Sequence, residues 1–255
     1  MNEQLPCRTA LITGASSGLG RGLARWFATR GVQVFAAARR EQQLEELAKE
    51  CREAGGKLEP MRLDVSDSDD TIRRIRELDE RVGGLDLVIA NAGVGADTPA
   101  KRLEWEDVKR IIDVNVTGAA ATLCAVLPRM VERDRGHLVG ISSLAAYRGL
   151  PGSGAYSASK AFLYIFLEGL RVDLQRTHIK VTSIHPGFVK SEMTARNKFP
   201  MPFLLETDDA VERMARAIVR GDSEFAFPWQ TSSLMKFAKV LPNGAWNMVA
   251  RRMMR

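Results

Sequence analysis

Short apolar runs rich in β-branched residues alternate along the chain with longer segments whose apolar positions recur every three or four residues. Such a switch between a buried-strand pattern and an amphipathic helical pattern predicts an α/β fold around a parallel sheet. Strands are expected at residues 8–13, 32–37, 57–63, 85–90, 137–142 and 180–185, with 225–227 as a last edge strand. Helices are expected at 18–30, 41–54, 68–82, 104–133, 154–176 and 210–220, the long fourth one kinked near its end by Pro128. No linker or internal repeat divides the rhythm, so a single domain of three layers is expected. Residues 188–206, which include Pro200 and Pro202, interrupt it and are long enough to form a lid.

Composition narrows the picture only slightly. An apolar fraction of 45% and a charged fraction of 27% over 255 residues fit a globular chain with a sizeable core. The net charge of +6 is mostly interspersed, with part of it at Arg251, Arg252 and Arg255, and no nucleic-acid motif accompanies it. No nucleic-acid partner is therefore expected. Cys7, Cys51 and Cys124 are odd in number and far apart, and His137, His178 and His185 do not cluster, so no metal site is expected. A reduced, cytoplasmic setting fits that cysteine usage, and no secretory signal is expected from the polar start of the chain. The strongly apolar stretch 119–127 is too short to span a bilayer.

The first expected strand runs into Thr13-Gly14-Ala15-Ser16-Ser17-Gly18-Leu19-Gly20 and then into a helix. Glycine lets backbone approach a pyrophosphate, and a helix N-terminus presents free N–H groups and a positive dipole end. The second strand closes with Ala36-Ala37-Ala38-Arg39-Arg40. A carboxylate there would accept hydrogen bonds from a ribose 2′-hydroxyl, whereas two guanidinium groups suit a 2′-phosphate. NADP is therefore expected in preference to NAD. Further on, Tyr156-Ser157-Ala158-Ser159-Lys160 sets a phenol and an ammonium four residues apart on one helical face. Of the three tyrosines only Tyr156 has a lysine at that spacing. A neighbouring cation favours the phenolate, and bringing a tyrosine from about 10 to about 7 takes roughly 4 kcal/mol.

These segments, with Asn91-Ala92-Gly93 after the fourth strand, resemble the short-chain dehydrogenase/reductase family over roughly residues 8–195. The resemblance implies a Rossmann-type, doubly wound parallel sheet. It also implies an NADP-dependent enzyme interconverting a carbonyl and an alcohol by hydride transfer. Cofactor contacts would come from Gly14, Ser16, Ser17, Gly18, Leu19 and Gly20, and from Arg39 as principal and Arg40 as secondary phosphate ligand. Asp64 and Val65 would lie at the adenine, and Asn91, Ala92 and Gly93 beside the ribose. Pro186, Gly187, Val189 and Ser191 would hold the nicotinamide, Ser191 standing where the family more often has threonine. In the family the catalytic serine precedes the tyrosine by thirteen residues, which selects Ser143 over Ser142. Tyr156 would be the general acid or base, Lys160 would hold the ribose and tune Tyr156, and Asn115 would support a proton relay. The family also implies a homo-dimer or homo-tetramer built on the two long helices.

Substrate contacts are expected from Val94, Tyr147, Leu150, Phe188, Met193, Phe199 and Phe203, which suggest an apolar small-molecule carbonyl compound. Residues 1–228 would form the NADP-binding catalytic domain. Residues 229–255 make a basic, amphipathic tail with three possible resting places: the domain, a neighbouring subunit or a membrane surface. A non-catalytic NADP(H)-binding regulatory protein is the alternative from another functional class, and the full set of Ser143, Tyr156, Lys160 and Asn115 argues against it.

Overall fold

The computed structural model describes residues 5–196 and 201–253. Strand β1 (Thr9–Thr13) sends Ala10 and Ile12 into the core on one side and Leu11 into the core on the other, all fully buried. A strand apolar on both faces needs helices on both faces, which is the condition for a buried parallel sheet. The sheet is completed by β2 (Gln33–Ala38), β3 (Lys57–Arg62), β4 (Leu87–Ala90), β5 (Gly136–Ile141), β6 (Ile179–Pro186) and β7 (Glu224–Phe227). Its order is β3-β2-β1-β4-β5-β6-β7, and every pairing is parallel. Strand β7 is an edge strand, as its sequence suggested.

One face is covered by α1 (Gly18–Ala28), α2 (Glu41–Glu53) and α7 (Thr207–Arg220), through Leu23, Phe27, Leu44, Leu47 and Met214. On the opposite face lie α3 (Ser68–Arg81), α5 (Ala119–Glu132) and α6 (Gly154–Asp173), through Ile75, Leu78, Leu123, Val126, Leu163 and Leu167. Helix α3 starts where Asp67 caps the Asp70 amide at 3.0 Å, with Asp69 and Asp70 at the positive end of its dipole. The fold is thus a single doubly wound α/β domain of Rossmann type. The direction of winding reverses between β1 and β4, and that switch opens a crevice at the C-terminal edge of the sheet.

Two segments differ from expectation. The helix expected at 104–133 is a continuous run, α4 (Trp105–Ile111), a π-helical turn at Ile112–Gly118, then α5. Its 28 residues are apolar enough to cross a membrane by length and composition, but more than half of that apolar stretch is buried, and α5 is a core helix of this domain. Pro128 sits inside α5 without ending it, because the carbonyl it leaves unbonded, four residues back at Cys124, lies on the exposed side. The tail forms two helices, α8 (Trp229–Val240) and α9 (Asn243–Met253). Arg148 fastens the turn between them, donating to the Leu241 carbonyl at 3.2 Å and to Asn243 Oδ1 at 2.9 Å, with its guanidinium over the buried Trp246 ring.

Candidate active site

The glycine-rich loop between β1 and α1 is held so tightly that side chains are excluded. A β-carbon at Gly14, where φ is +69°, would stand 2.7 Å from Ala92 Cα. At Gly20 it would stand 2.4 Å from the Gly14 carbonyl oxygen and 2.3 Å from Asn91 Nδ2. Asn91 in turn donates to the Thr13 carbonyl at 2.8 Å, and Thr13 Oγ1 accepts from the amides of Asn91 (3.1 Å) and Ala92 (3.2 Å). The Asn91-Ala92-Gly93 segment and the loop are therefore one unit, with Thr13 as the tie. Ser17 precedes α1 without capping it, which leaves the first helical N–H groups to an incoming anion. Gly20→Ala is expected to lower stability by about 1–3 kcal/mol, since neither backbone can yield. Thermal unfolding of the variant would show it, and an unchanged midpoint would contradict the packing described.

Beyond β2 the two arginines part company. Arg40 donates from Nε to Ser16 Oγ (3.1 Å) and from Nη2 to Ser17 Oγ (2.6 Å), lying across the loop itself. Its Nη1 meets the Glu192 carboxylate at 3.0 Å. Arg39 is more exposed and stands 3.9 Å from Asp64, whose other oxygen holds the Ser66 amide and hydroxyl. Asp64 and the buried Val65 close the floor of the crevice on the β3 side. Across from the loop, Gly187 donates to the Phe227 carbonyl at 2.7 Å, and Val189 is buried and bridged to Leu205. Ser191 and Thr194 bond each other's amides through their hydroxyls at 3.2 and 2.9 Å.

The chemistry-bearing side chains meet at the ends of β5 and α6. Lys160 is buried and donates to the Ile141 carbonyl at 2.8 Å, with its Nζ 5.8 Å from the centre of the Tyr156 ring. Tyr156 is half-buried, and the Ser143 hydroxyl lies beside its phenol. Ser142 is buried and spends its hydroxyl on the Lys160 carbonyl (2.8 Å), so of the two serines only Ser143 turns to the phenol. Asn115 sits in the π-helical turn, where wider winding aims it inward. It accepts from the Val94 amide (2.8 Å) and donates to the Val94 carbonyl (2.9 Å) and Ser159 Oγ (3.0 Å). A β-carbon at Gly93 would lie 3.3 Å from Lys160 Nζ and 3.4 Å from Asn115 Oδ1, so the cofactor-side and chemical-side clusters touch.

Burial, rather than Lys160, dominates the electrostatics of Tyr156. Desolvation raises the phenol above its ordinary value, and the Ser143 hydrogen bond pulls it partly back. The same desolvation lowers Lys160 to about 8. A third buried group was not singled out by its sequence context. His185, next to the Pro186-Gly187 pair, stacks on Tyr147 with ring centres 5.2 Å apart and places Nδ1 3.3 Å from the Ser143 carbonyl. A carbonyl only accepts, so Nδ1 carries the proton. Burial holds the imidazole neutral, lowered to about 4.

The expected substrate residues divide. Val94, Leu150 and Phe188 are half-buried at the crevice, and Met193 packs over Gly95. Phe203 is exposed with φ +57°, and Phe199 lies outside the described residues. Tyr147 is a correction: it is buried, and its hydroxyl is committed to Glu224 at 2.9 Å. Glu224 sits beneath it because β7 pairs with β6, a neighbourhood no local sequence signal announces.

Comparison with known proteins places this crevice. A family model described as short chain dehydrogenase matches residues 8–200. The chain belongs to the short-chain dehydrogenase family. An uncharacterized oxidoreductase of Myxococcus xanthus is 64% identical over 250 residues, 98% of this chain and 99% of the relative. A short-chain dehydrogenase from Sphingobium yanoikuyae, solved with NADPH, superposes with a TM-score of 0.81 at 28% identity, covering 96% of this chain and 94% of that one. The alcohol dehydrogenase of Thermococcus sibiricus, solved with 5-hydroxy-NADP, gives 0.77 at 27% identity, covering 86% and 95%. This short-chain dehydrogenase is accordingly an NAD(P)-dependent oxidoreductase acting on carbonyl and alcohol groups.

Proposed function

We propose that the enzyme prefers NADP(H) and interconverts an apolar carbonyl compound and its alcohol, with Tyr156 as the proton donor or acceptor. The observation that carries the reading is the meeting of the Tyr156 phenol with Ser143 beside buried Lys160, at the edge where the glycine loop and Arg40 converge. The residues present fit the dinucleotide. Gly14 and Gly20 let the loop close against Asn91 and Ala92, Ser17 leaves the first N–H groups of α1 uncapped for an anion, and Arg40 lies on the two serines of the loop. NADPH, when bound, supplies the hydride. Ser143 orients the substrate oxygen and offers it a hydrogen bond. Tyr156 delivers a proton to that oxygen in reduction, and a phenol held above its ordinary value stays protonated for the task at neutral pH. Lys160 contributes its charge beside the ring, and Asn115 fixes the backbone at Val94 and holds Ser159 in place.

Arg40 takes the leading place at the 2′-phosphate in this reading, with Arg39 beside it. The Arg40–Glu192 pair is solvent-exposed and contributes at most about 1 kcal/mol, so a doubly charged phosphate can displace the carboxylate. A homo-oligomer is part of the same reading, because Trp105, Phe162, Ile165 and Val172 leave apolar surface on the two long helices. So is a reducing, cytoplasmic setting, in keeping with three free thiols, each raised by burial, Cys7 to about 12.

The test is consumption of NADPH and of NADH against aldehydes, ketones and 3-oxoacyl compounds, for the parent enzyme and for Arg40→Ala. NADPH should be favoured, long apolar carbonyls should outperform small polar ones, and Arg40→Ala should raise KM for NADPH about 10-fold or more while leaving KM for NADH within about twofold. Equal use of the two cofactors by the parent enzyme would overturn the NADP assignment, and absence of turnover on the whole panel would overturn the substrate class.

A further inference from the structure

Charge is unevenly placed along the chain. Of the net charge of +6, five units fall in residues 225–255, where Lys236, Lys239, Arg251, Arg252 and Arg255 occur with no Asp or Glu. The same stretch carries exposed apolar side chains in a defined pattern. At about 100° per residue, Trp229, Val240 and Phe237 of α8 fall within an arc of about 80°, with Leu234 on its flank. These four are 73, 75, 61 and 64% exposed. The inward side of α8 is already satisfied, since Ser232 and Ala238 are buried and Met235 packs on Leu144, Tyr147 and Tyr164. Helix α9 repeats the arrangement, with Trp246 buried and Met248 and Val249 exposed beside Arg251 and Arg252. Among the described residues no carboxylate pairs with Lys239, Arg251 or Arg252, and Lys236, paired with Glu224, keeps about half its side chain in solvent.

We infer that the outer face of α8 and α9 docks on an anionic lipid surface. Aromatic and aliphatic side chains flanked by long cationic ones suit the boundary between headgroups and acyl chains, where rings enter and cations stay with phosphates. Charge selects the bilayer over a second copy of the chain, because two such faces would set like charges against each other. The helix that carries the docked face adjoins the site through its opposite side. Helix α8 follows Pro228, which lies against Gly187, and its Met235 packs on the cluster that includes Leu144, next to Ser143. If the substrate is the apolar carbonyl compound proposed above, it can arrive from the bilayer at the edge of the sheet where it reacts.

Sedimentation of the full-length protein with vesicles of phosphatidylglycerol and phosphatidylcholine, and with pure phosphatidylcholine vesicles, tests the docking without relying on turnover. The parent protein should pellet with the mixed vesicles at low salt and be released substantially at high salt. A Trp229→Ser/Phe237→Ser double variant and an Arg251→Glu/Arg252→Glu double variant should each lower the partition coefficient about 10-fold or more. NADPH affinity of both variants, measured alongside, should equal that of the parent and so report an intact fold. Equal recovery of the parent protein from both kinds of vesicle would overturn the inference. So would a fall in oligomer mass for the Trp229→Ser/Phe237→Ser variant in the absence of lipid, which would make a second copy the occupant.

Discussion

Replacing Tyr156 by phenylalanine should leave the protein folded and NADPH-competent while lowering turnover between about 100-fold and about 10,000-fold, the range a positioned proton donor supplies. The ring is half-buried in α6, so phenylalanine preserves its packing and removes only the hydroxyl that meets Ser143. Carbonyl reduction should lose kcat, and the binding of NADPH, followed by titration, should stay within about twofold. Retention of kcat within about threefold would show that the proton comes from elsewhere. The raised phenol also sets direction with pH: reduction, which needs the protonated form, should hold through neutral pH, whereas alcohol oxidation should climb as the solution becomes alkaline.

Lys160→Met should stabilise the protein and disable it at once. The ammonium is buried, and its value falls from 10.5 to about 8 on desolvation alone. Because the folded value is the lower one, the unfolded chain binds the proton more readily between about pH 8 and about pH 10, and stability rises with pH across that window. Below about pH 8 the folded state carries the whole penalty, about 3 kcal/mol. Methionine removes that penalty but leaves the Ile141 carbonyl without its donor, a loss of about 1–2 kcal/mol, so the net gain at pH 7 should be about 1–2 kcal/mol. Chemical denaturation at pH 7 and pH 10 would show the gain at the first and its disappearance at the second. A variant less stable than the parent at pH 7 would contradict the account. Turnover should fall about 100-fold or more, and for carbonyl reduction by the parent enzyme kcat/KM should decline as pH passes about 8, where the free enzyme loses this charge.

Legibility in the sequence follows the length scale of the cause. Strand and helix positions were readable because their periodicity is local: β2, β3 and β6 lie within about two residues of where apolar runs place them. The loop from Thr13 to Gly20, the Tyr156–Lys160 pair and Asn91-Ala92-Gly93 were readable because their spacing along the chain is itself the signal. The π-helical turn was not. It depends on contacts from afar: a β-carbon at Gly118 would lie 2.6 Å from the Val65 carbonyl oxygen, and Asn115 reaches across to Val94. The different placements of Arg39 and Arg40, one guanidinium near Asp64 and the other on Ser16 and Ser17, were equally hidden, since they depend on contacts distant in the chain. Tyr147 was expected among the substrate contacts, yet Glu224 of the edge strand claims its hydroxyl. The tail gave an amphipathic composition but no address, because Arg148 and Met235 fix it through pairings distant in the chain.

The way α8 and α9 are fastened bears on how the chain can be handled. Met235 fills the cluster of Leu144, Tyr147 and Tyr164, and Arg148 clasps the turn at Leu241 and Asn243. A chain cut after Phe227 would therefore not shed an appendage; it would bare an apolar wall one residue from Ser143 and remove the partners of Arg148. Shortened versions made to improve solubility would aggregate and lose turnover together, and surface substitutions at Trp229 and Phe237 are the gentler instrument.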